Sequence, residues 1–239
     1  GREGCNIADE DAVRRCFDAY RPDAVIHCAA YTAVDRAEDE EALCRAVNVR
    51  GTENVARACA ALGAKMVYPS TDYVFPGSGE TPFETGDPTG PLNVYGRSKL
   101  DGENAVRTAL DRHFIVRISW VFGKYGKNFV KTMLRLGREK DSVKVVDDQV
   151  GSPTYTADLA PLLCDMIATE QYGTYHATNE GFCSWAEFAA EIFRESGCPV
   201  EIVPIPTERY PARAVRPLNS RLSKKSLDEA GFRRLPAWR

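Results

Sequence analysis

The chain has 239 residues, 44% of them hydrophobic and 27% charged, with a formal net charge of -3. This is globular composition, at a length that fits one large domain or a domain with a smaller lobe. A slightly acidic chain has no general pull toward nucleic acid or an anionic membrane surface, and no apolar run approaches the roughly 18 residues of a membrane span.

The predicted elements follow in chain order. Apolar residues at helical spacing in DEDAVRRCFDAYRPD, stopped by Pro22, predict a helix, and AVIHCAA after it a short buried strand. EDEEALCRAVNVRGTENVARACAALG reads as one long helix with an acidic first turn and Gly63 just past its end. AKMVYPST is a second buried strand, and residues 72–93 form a loop rich in Gly, Pro, Thr and Asp. VYGRSKLDGENAVRTAL is helical and HFIVRISWVFG is a third strand. Alternating helices and nearly continuous apolar strands predict an α/β fold, a parallel sheet covered on both faces.

After residue 120 the rhythm loosens. NFVKTMLRLGREK, ADLAPLLCDMIATE and SWAEFAAEIFRESG are helical, SVKVVDDQVGSPTYT is strand and loop, and the Pro- and Arg-rich tail carries one late helix. The predicted division is a dinucleotide-binding domain from residues 1–118 and 154–171, and a smaller lobe from 119–153 and 172–239 over the ends of the strands. Eight cysteines, at 5, 16, 28, 44, 59, 164, 183 and 198, include no C-x-x-C pair, and histidines 27, 113 and 176 have no metal spacing. Buried free thiols, no metal and, with no secretory signal at the start, a cytoplasmic location are the expectations.

Three strand ends are unusually polar: the first in CAAYT, the second in Ser70-Thr71-Asp72, the third in Ser119-Trp120. Each by itself suits packing or capping. With Tyr95 and Lys99 they converge on one crevice. Tyr95 and Lys99, four residues apart, share a helix face. An ammonium about 4 Å from a phenol interacts by about 4 kcal/mol at an effective dielectric of about 20. That could lower the tyrosine from its ordinary value of about 10 by at most about three pH units. With Thr71 to hold an oxygen, such a trio suits hydride transfer to a carbonyl, tyrosine supplying the proton.

Thr71, Tyr95 and Lys99 resemble the Ser/Thr-Tyr-Lys triad of the extended short-chain dehydrogenases/reductases, which have a Rossmann-type doubly wound sheet. The ordered phrases RPDAVIHCAAYTAVDRAE, STDYVF, VYGRSKLDGE, RISWVFG, NFVKTML, DQVGSPTYTADLA and RPLNSRLS are similar to the dTDP-4-dehydrorhamnose reductase family, from about residue 6 to the end. The resemblance implies that Thr71 orients a sugar 4-keto group, Tyr95 protonates it, and Lys99 holds the nicotinamide ribose and lowers the tyrosine. It places Ala30, Tyr31 and Thr32 along the cofactor and Asn6 and Ile7 near its adenine. Asp72 and Trp120, with the loop of Val150, Gly151 and Pro153, would border a dTDP-sugar, and Arg216 and Arg221 would meet its diphosphate. The implied cofactor is NADPH, with NADH an alternative, and a homodimer is common in the family.

One departure stands out: no G-x-x-G-x-x-G turn for a cofactor pyrophosphate occurs. CNIADEDAV resembles a region that one β-α-β unit normally precedes, so the expectation is that a segment is omitted. Without its strand, two unpaired edges would be left in mid-sheet. A competing reading is a non-enzymatic relative, such as the regulatory subunit of methionine adenosyltransferase, which shares the fold and binds a partner. An epimerase or dehydratase of the same superfamily fits less well, because STDYVF supplies no obvious added acid/base pair.

Overall fold

The structure is a computed structural model that describes residues 4–239. Its centre is a four-stranded parallel sheet in the order β1 (Ala24–Ile26), β2 (Lys65–Thr71), β3 (His113–Ile118) and β8 (Gly173–His176). The alternating sides of these strands separate two cores. Met66, Tyr68 and Ile115 pack with α1 (Glu10–Tyr20), α4 (Thr52–Leu62) and α5 (Val94–Ala109). Val67, Phe114, Val116 and Tyr175 pack on the opposite face against α7 (Thr156–Ile167) and α9 (Lys225–Glu229). The predicted α/β sheet, covered on both faces, is the observed one.

Four details differ from expectation. The segment predicted as one long helix is α2 (Val34–Ala37), then α3 (Glu41–Arg45), a π-helical turn over Ala46–Gly51 and α4. Asn48 in that turn accepts from Tyr31 N at 2.7 Å and donates to Tyr31 O at 3.0 Å and to Ser98 Oγ at 2.9 Å. A local widening of this kind inserts a residue and re-aims a side chain. The third strand stops at Ile118, and β4 (Val121–Phe122) leaves the sheet to pair with β7 (Thr154–Tyr155). The boundary at residue 172 also moves, because β8 pairs with β3 and α9 packs beneath the main sheet. Finally, the four strands form one uninterrupted ladder, so no unpaired edges open in its middle. Among the described residues its two edge strands are β8 and the three-residue β1.

The smaller lobe has its own core. α6 (Phe129–Glu139) and α8 (Trp185–Ser196) pack on β5 (Ser142–Val146), which pairs with β10 (Glu201–Ile205). A short sheet of β6 (Val150–Gly151), β9 (Cys183–Ser184) and β11 (Asn219–Ser220) lies alongside. All eight cysteines are free. Cys44, Cys59 and Cys183 are buried, whereas Cys28 and Cys164 are exposed, so burial holds for part of the set. No described helix is long and apolar enough to cross a membrane. Among the described residues, no group of three His, Cys, Asp or Glu side chains comes together as metal ligands.

Candidate active site

A cleft of about 1070 Å³ opens where the C-terminal ends of β1, β2 and β3 meet the smaller lobe. Tyr95 and Lys99 reach it from the first turns of α5. Asn93 starts that helix, its side chain accepting from Gly96 N at 2.8 Å. Gly96 lets the first turn lie against the backbone of Tyr73, where an added Cβ would stand 2.4 Å from Tyr73 O. Lower in the helix, Glu103 is fully buried and accepts from Arg117 of β3 at 2.9 and 2.8 Å and from Ser70 of β2 at 2.5 Å. One carboxylate therefore ties the catalytic helix to both central strands.

Lys99 is buried and donates to Pro69 O at 2.8 Å, and its ammonium stands 3.9 Å from the centre of the Tyr68 ring. Pro69 lies beyond the last residue of β2 that pairs with β1, so its missing N–H breaks no ladder and its carbonyl is free for the lysine. Burial pulls Lys99 down to about 7. Burial likewise pushes the Tyr95 phenol well above its ordinary value, with the neighbouring Thr71 hydroxyl pulling the other way. The expected lowering of Tyr95 by Lys99 is therefore not what this structure shows. Desolvation dominates at Tyr95, and the ammonium is engaged with Pro69.

Thr71 Oγ1 donates to Asp72 Oδ1 at 3.0 Å and accepts from Tyr73 N at 3.2 Å. Asp72 is buried with Oδ2 unpartnered, and burial raises its carboxyl to about 6. Tyr73 packs edge-on to Tyr95 with ring centres 5.5 Å apart.

Of the predicted site residues, the structure brings Ala30, Thr32, Thr71, Asp72, Tyr95, Lys99, Trp120 and Arg216 to the cleft wall. The others lie outside the lining. Tyr31 turns its phenol to Glu40 at 2.6 Å. Ile7 packs on the core beside α1 and accepts from Asn54 at 2.9 Å, while Asn6 is exposed. Gly151 backs the Trp120 ring, since a Cβ there would lie 3.0 Å from it. Val150 is in the same short strand, and Pro153 O accepts from Asn179 N at 3.3 Å. Arg221 donates to Asn219 Oδ1 at 3.0 Å. Residues that sequence patterns missed include His27, Cys28, Lys144, Gln149 and Trp185. His27, Cys28 and Gln149 lie in the quoted phrases RPDAVIHCAAYTAVDRAE and DQVGSPTYTADLA, while Lys144 and Trp185 carried no such signal.

A parallel sheet with a cleft at its strand ends, and Thr, Tyr and Lys meeting in that cleft, defines a Rossmann-type oxidoreductase of the extended short-chain class. Comparison with known proteins narrows the class. Residues 1–239 match the family model described as the RmlD substrate binding domain. The chain is 46% identical over 246 residues to dTDP-4-dehydrorhamnose reductase of Streptomyces griseus, covering 100% of this chain and 81% of the relative. It is 43% identical over 228 residues to the spore coat polysaccharide biosynthesis protein SpsK of Bacillus subtilis, covering 95% and 80%. The crystal structure of dTDP-4-dehydrorhamnose reductase from Bacillus anthracis in complex with NADP superposes with a TM-score of 0.97 at 45% identity, over 99% of this chain and 84% of that one. The chain belongs to the dTDP-4-dehydrorhamnose reductase family.

Proposed function

We propose that the protein reduces the 4-keto group of dTDP-4-dehydro-L-rhamnose to give dTDP-L-rhamnose, with NADPH as reductant. The observation that carries this reading is the convergence of Thr71, Tyr95 and Lys99 on one cleft at the strand ends. The residues present fit the nicotinamide end of the cofactor. An ammonium has three donors, and Lys99 commits one of them to Pro69 O. The others suit ribose hydroxyls, with Ala30 and Thr32 alongside. When bound, NADPH supplies the hydride that reaches C4.

The chain's own groups then do the following. Thr71 turns its single hydroxyl proton from Asp72 Oδ1 to the keto oxygen and orients it. Tyr95 gives its proton to that oxygen as negative charge develops there, turning the carbonyl into a hydroxyl. In the reducing direction the phenol must arrive protonated, and burial keeps the proton on it at neutral pH. Lys99, buried in the same cleft and anchored on Pro69 O, holds the cofactor ribose beside the phenol. Asp72 and Trp120 face the sugar, and Arg216 faces the diphosphate, where a guanidinium can bond two oxygens at once.

The test is NADPH consumption by the full-length protein with the keto-sugar nucleotide. The parent turns over, and Tyr95→Phe loses about 10²-fold or more in kcat while still binding NADPH. No turnover by a folded parent overturns the reading.

A further inference from the structure

The lobe side of the cleft is walled by two stacked indoles, those of Trp120 and Trp185, with ring centres 3.7 Å apart and planes inclined by 15°. Trp120 sits at φ +48, in the left-handed region that a bulky side chain enters only when its surroundings force it. They do so here. Thr154 Oγ1 donates to Ser119 O at 2.6 Å, Ser119 Oγ donates to Ser152 O at 2.7 Å, and Thr154 N donates to Trp120 O at 3.2 Å. Gly151 leaves room for the ring. The backbone is bent so that this indole faces the cleft.

Trp185 is held from another direction. Its Nε1 donates to Gln149 Oε1 at 3.2 Å, and Gln149 Nε2 donates to Thr207 Oγ1 at 3.0 Å. The Thr207 hydroxyl in turn donates to Asp148 Oδ1. An indole N–H can only donate, so every group in this relay has one available role. The neighbouring Asp147 accepts from Ser184 Oγ, the cap of the helix that begins at Trp185. Three consecutive side chains, Asp147, Asp148 and Gln149, thus lock the start of α8 and the Thr207 turn together. Gln149 is itself buried and lines the cleft.

We infer that Gln149 is a positioning residue. By clamping the Trp185 indole it fixes the Trp120 ring as the flat wall against which the sugar nucleotide binds. The inference rests on the reductase reading for the identity of that ligand, though not for the clamp itself. A buried neutral hydrogen bond of this kind corresponds to about a three- to tenfold effect on binding.

The experiment compares the full-length parent with Gln149→Met, Trp185→Phe and the double variant. Two indoles stacked this closely couple excitonically and give a paired positive and negative band in ultraviolet circular dichroism. Gln149→Met should weaken that couplet and raise KM for the keto-sugar nucleotide about three- to tenfold, with kcat within about twofold and KM for NADPH unchanged. In the Trp185→Phe background, Gln149→Met should add nothing further. An unchanged couplet, an unchanged KM, or effects that simply add overturn the inference. Should Gln149→Met not fold, Thr207→Val removes the other end of the amide clamp and carries the same expectation, and an unchanged KM there overturns it. A parent without turnover overturns the reductase reading instead, and the couplet then judges the clamp alone.

Discussion

Lys99 and Asp72 are buried charges facing one cleft, and their titrations leave opposite marks on stability. Burial holds Lys99 at about 7, against an ordinary 10.5. Between those two values the unfolded chain keeps a proton that the folded chain has released, so stability rises with pH across the window, by up to about 1.4 kcal/mol per pH unit. Lys99→Met should abolish the rise. The variant is then more stable than the parent near pH 7, with the gap closing toward pH 10.5, as urea unfolding across the window will show. Asp72 runs the other way. Its carboxyl is raised from 3.8 to about 6, so the folded form holds a proton that the unfolded form has lost, and stability falls as pH rises through that interval. Asp72→Asn should lack the fall and be the more stable protein above about pH 6 by the same measurement.

At the scale of elements, the placement of α5 decides whether Tyr95 meets Thr71. Its first turn is pressed on Tyr73, and a Cβ at Gly96 would lie 2.4 Å from Tyr73 O and 3.0 Å from Pro91 Cβ. The first of these is backbone and cannot yield. Gly96→Ala must therefore shift the turn, with an expected loss of about 1–3 kcal/mol in thermal or urea unfolding. Because Tyr95 is the adjacent residue, kcat should fall in the same variant even where it is fully folded. What the sequence made legible here was the element itself, since the helical spacing and the Tyr-x-x-x-Lys pair are local signals, whereas the Asn93 cap emerged only in the structure. The broken course of residues 34–62 was not legible. A π turn is set by a tertiary demand, the bonds of Asn48 to Tyr31 and Ser98, which leave no periodic trace in the chain. The turn at Trp120 was hidden for the same reason, since VRISWVF reads as continuous strand and only the Ser119–Thr154 bond shows why it bends.

At the scale of the whole molecule, the site joins the sheet to segments far along the chain, and legibility divides there too. Thr71, Asp72 and Trp120 at strand ends, and Tyr95 and Lys99 on α5, were readable because position alone puts them at the cleft. Cleft residues of the lobe, such as Lys144 and Trp185, were not, because their approach depends on how two cores dock. The arginine-rich tail is the informative case. RPLNSRLS offered Arg221 ahead of Arg216, yet Arg216 lines the cleft and pairs with Asp35 at 2.7 Å, while Arg221 turns to Asn219. Asp35 also accepts from Ala214 N at 3.2 Å, and Arg213 pairs with Asp39, so two acids of α2 and the turn after it hold this segment of the tail. The Arg213 pair is exposed and stabilises by about 0–1 kcal/mol at most. If Arg216 is the group that meets the diphosphate, Arg216→Leu should weaken dTDP binding about tenfold or more, the range of a charge-assisted hydrogen bond. Arg213→Leu and Arg221→Leu should bind within about twofold of the parent, since neither guanidinium reaches the cleft wall. Calorimetric titration with dTDP at two ionic strengths separates the cases. Added salt should weaken the parent, Arg213→Leu and Arg221→Leu alike, while Arg216→Leu, having lost the cation that salt screens, should respond least.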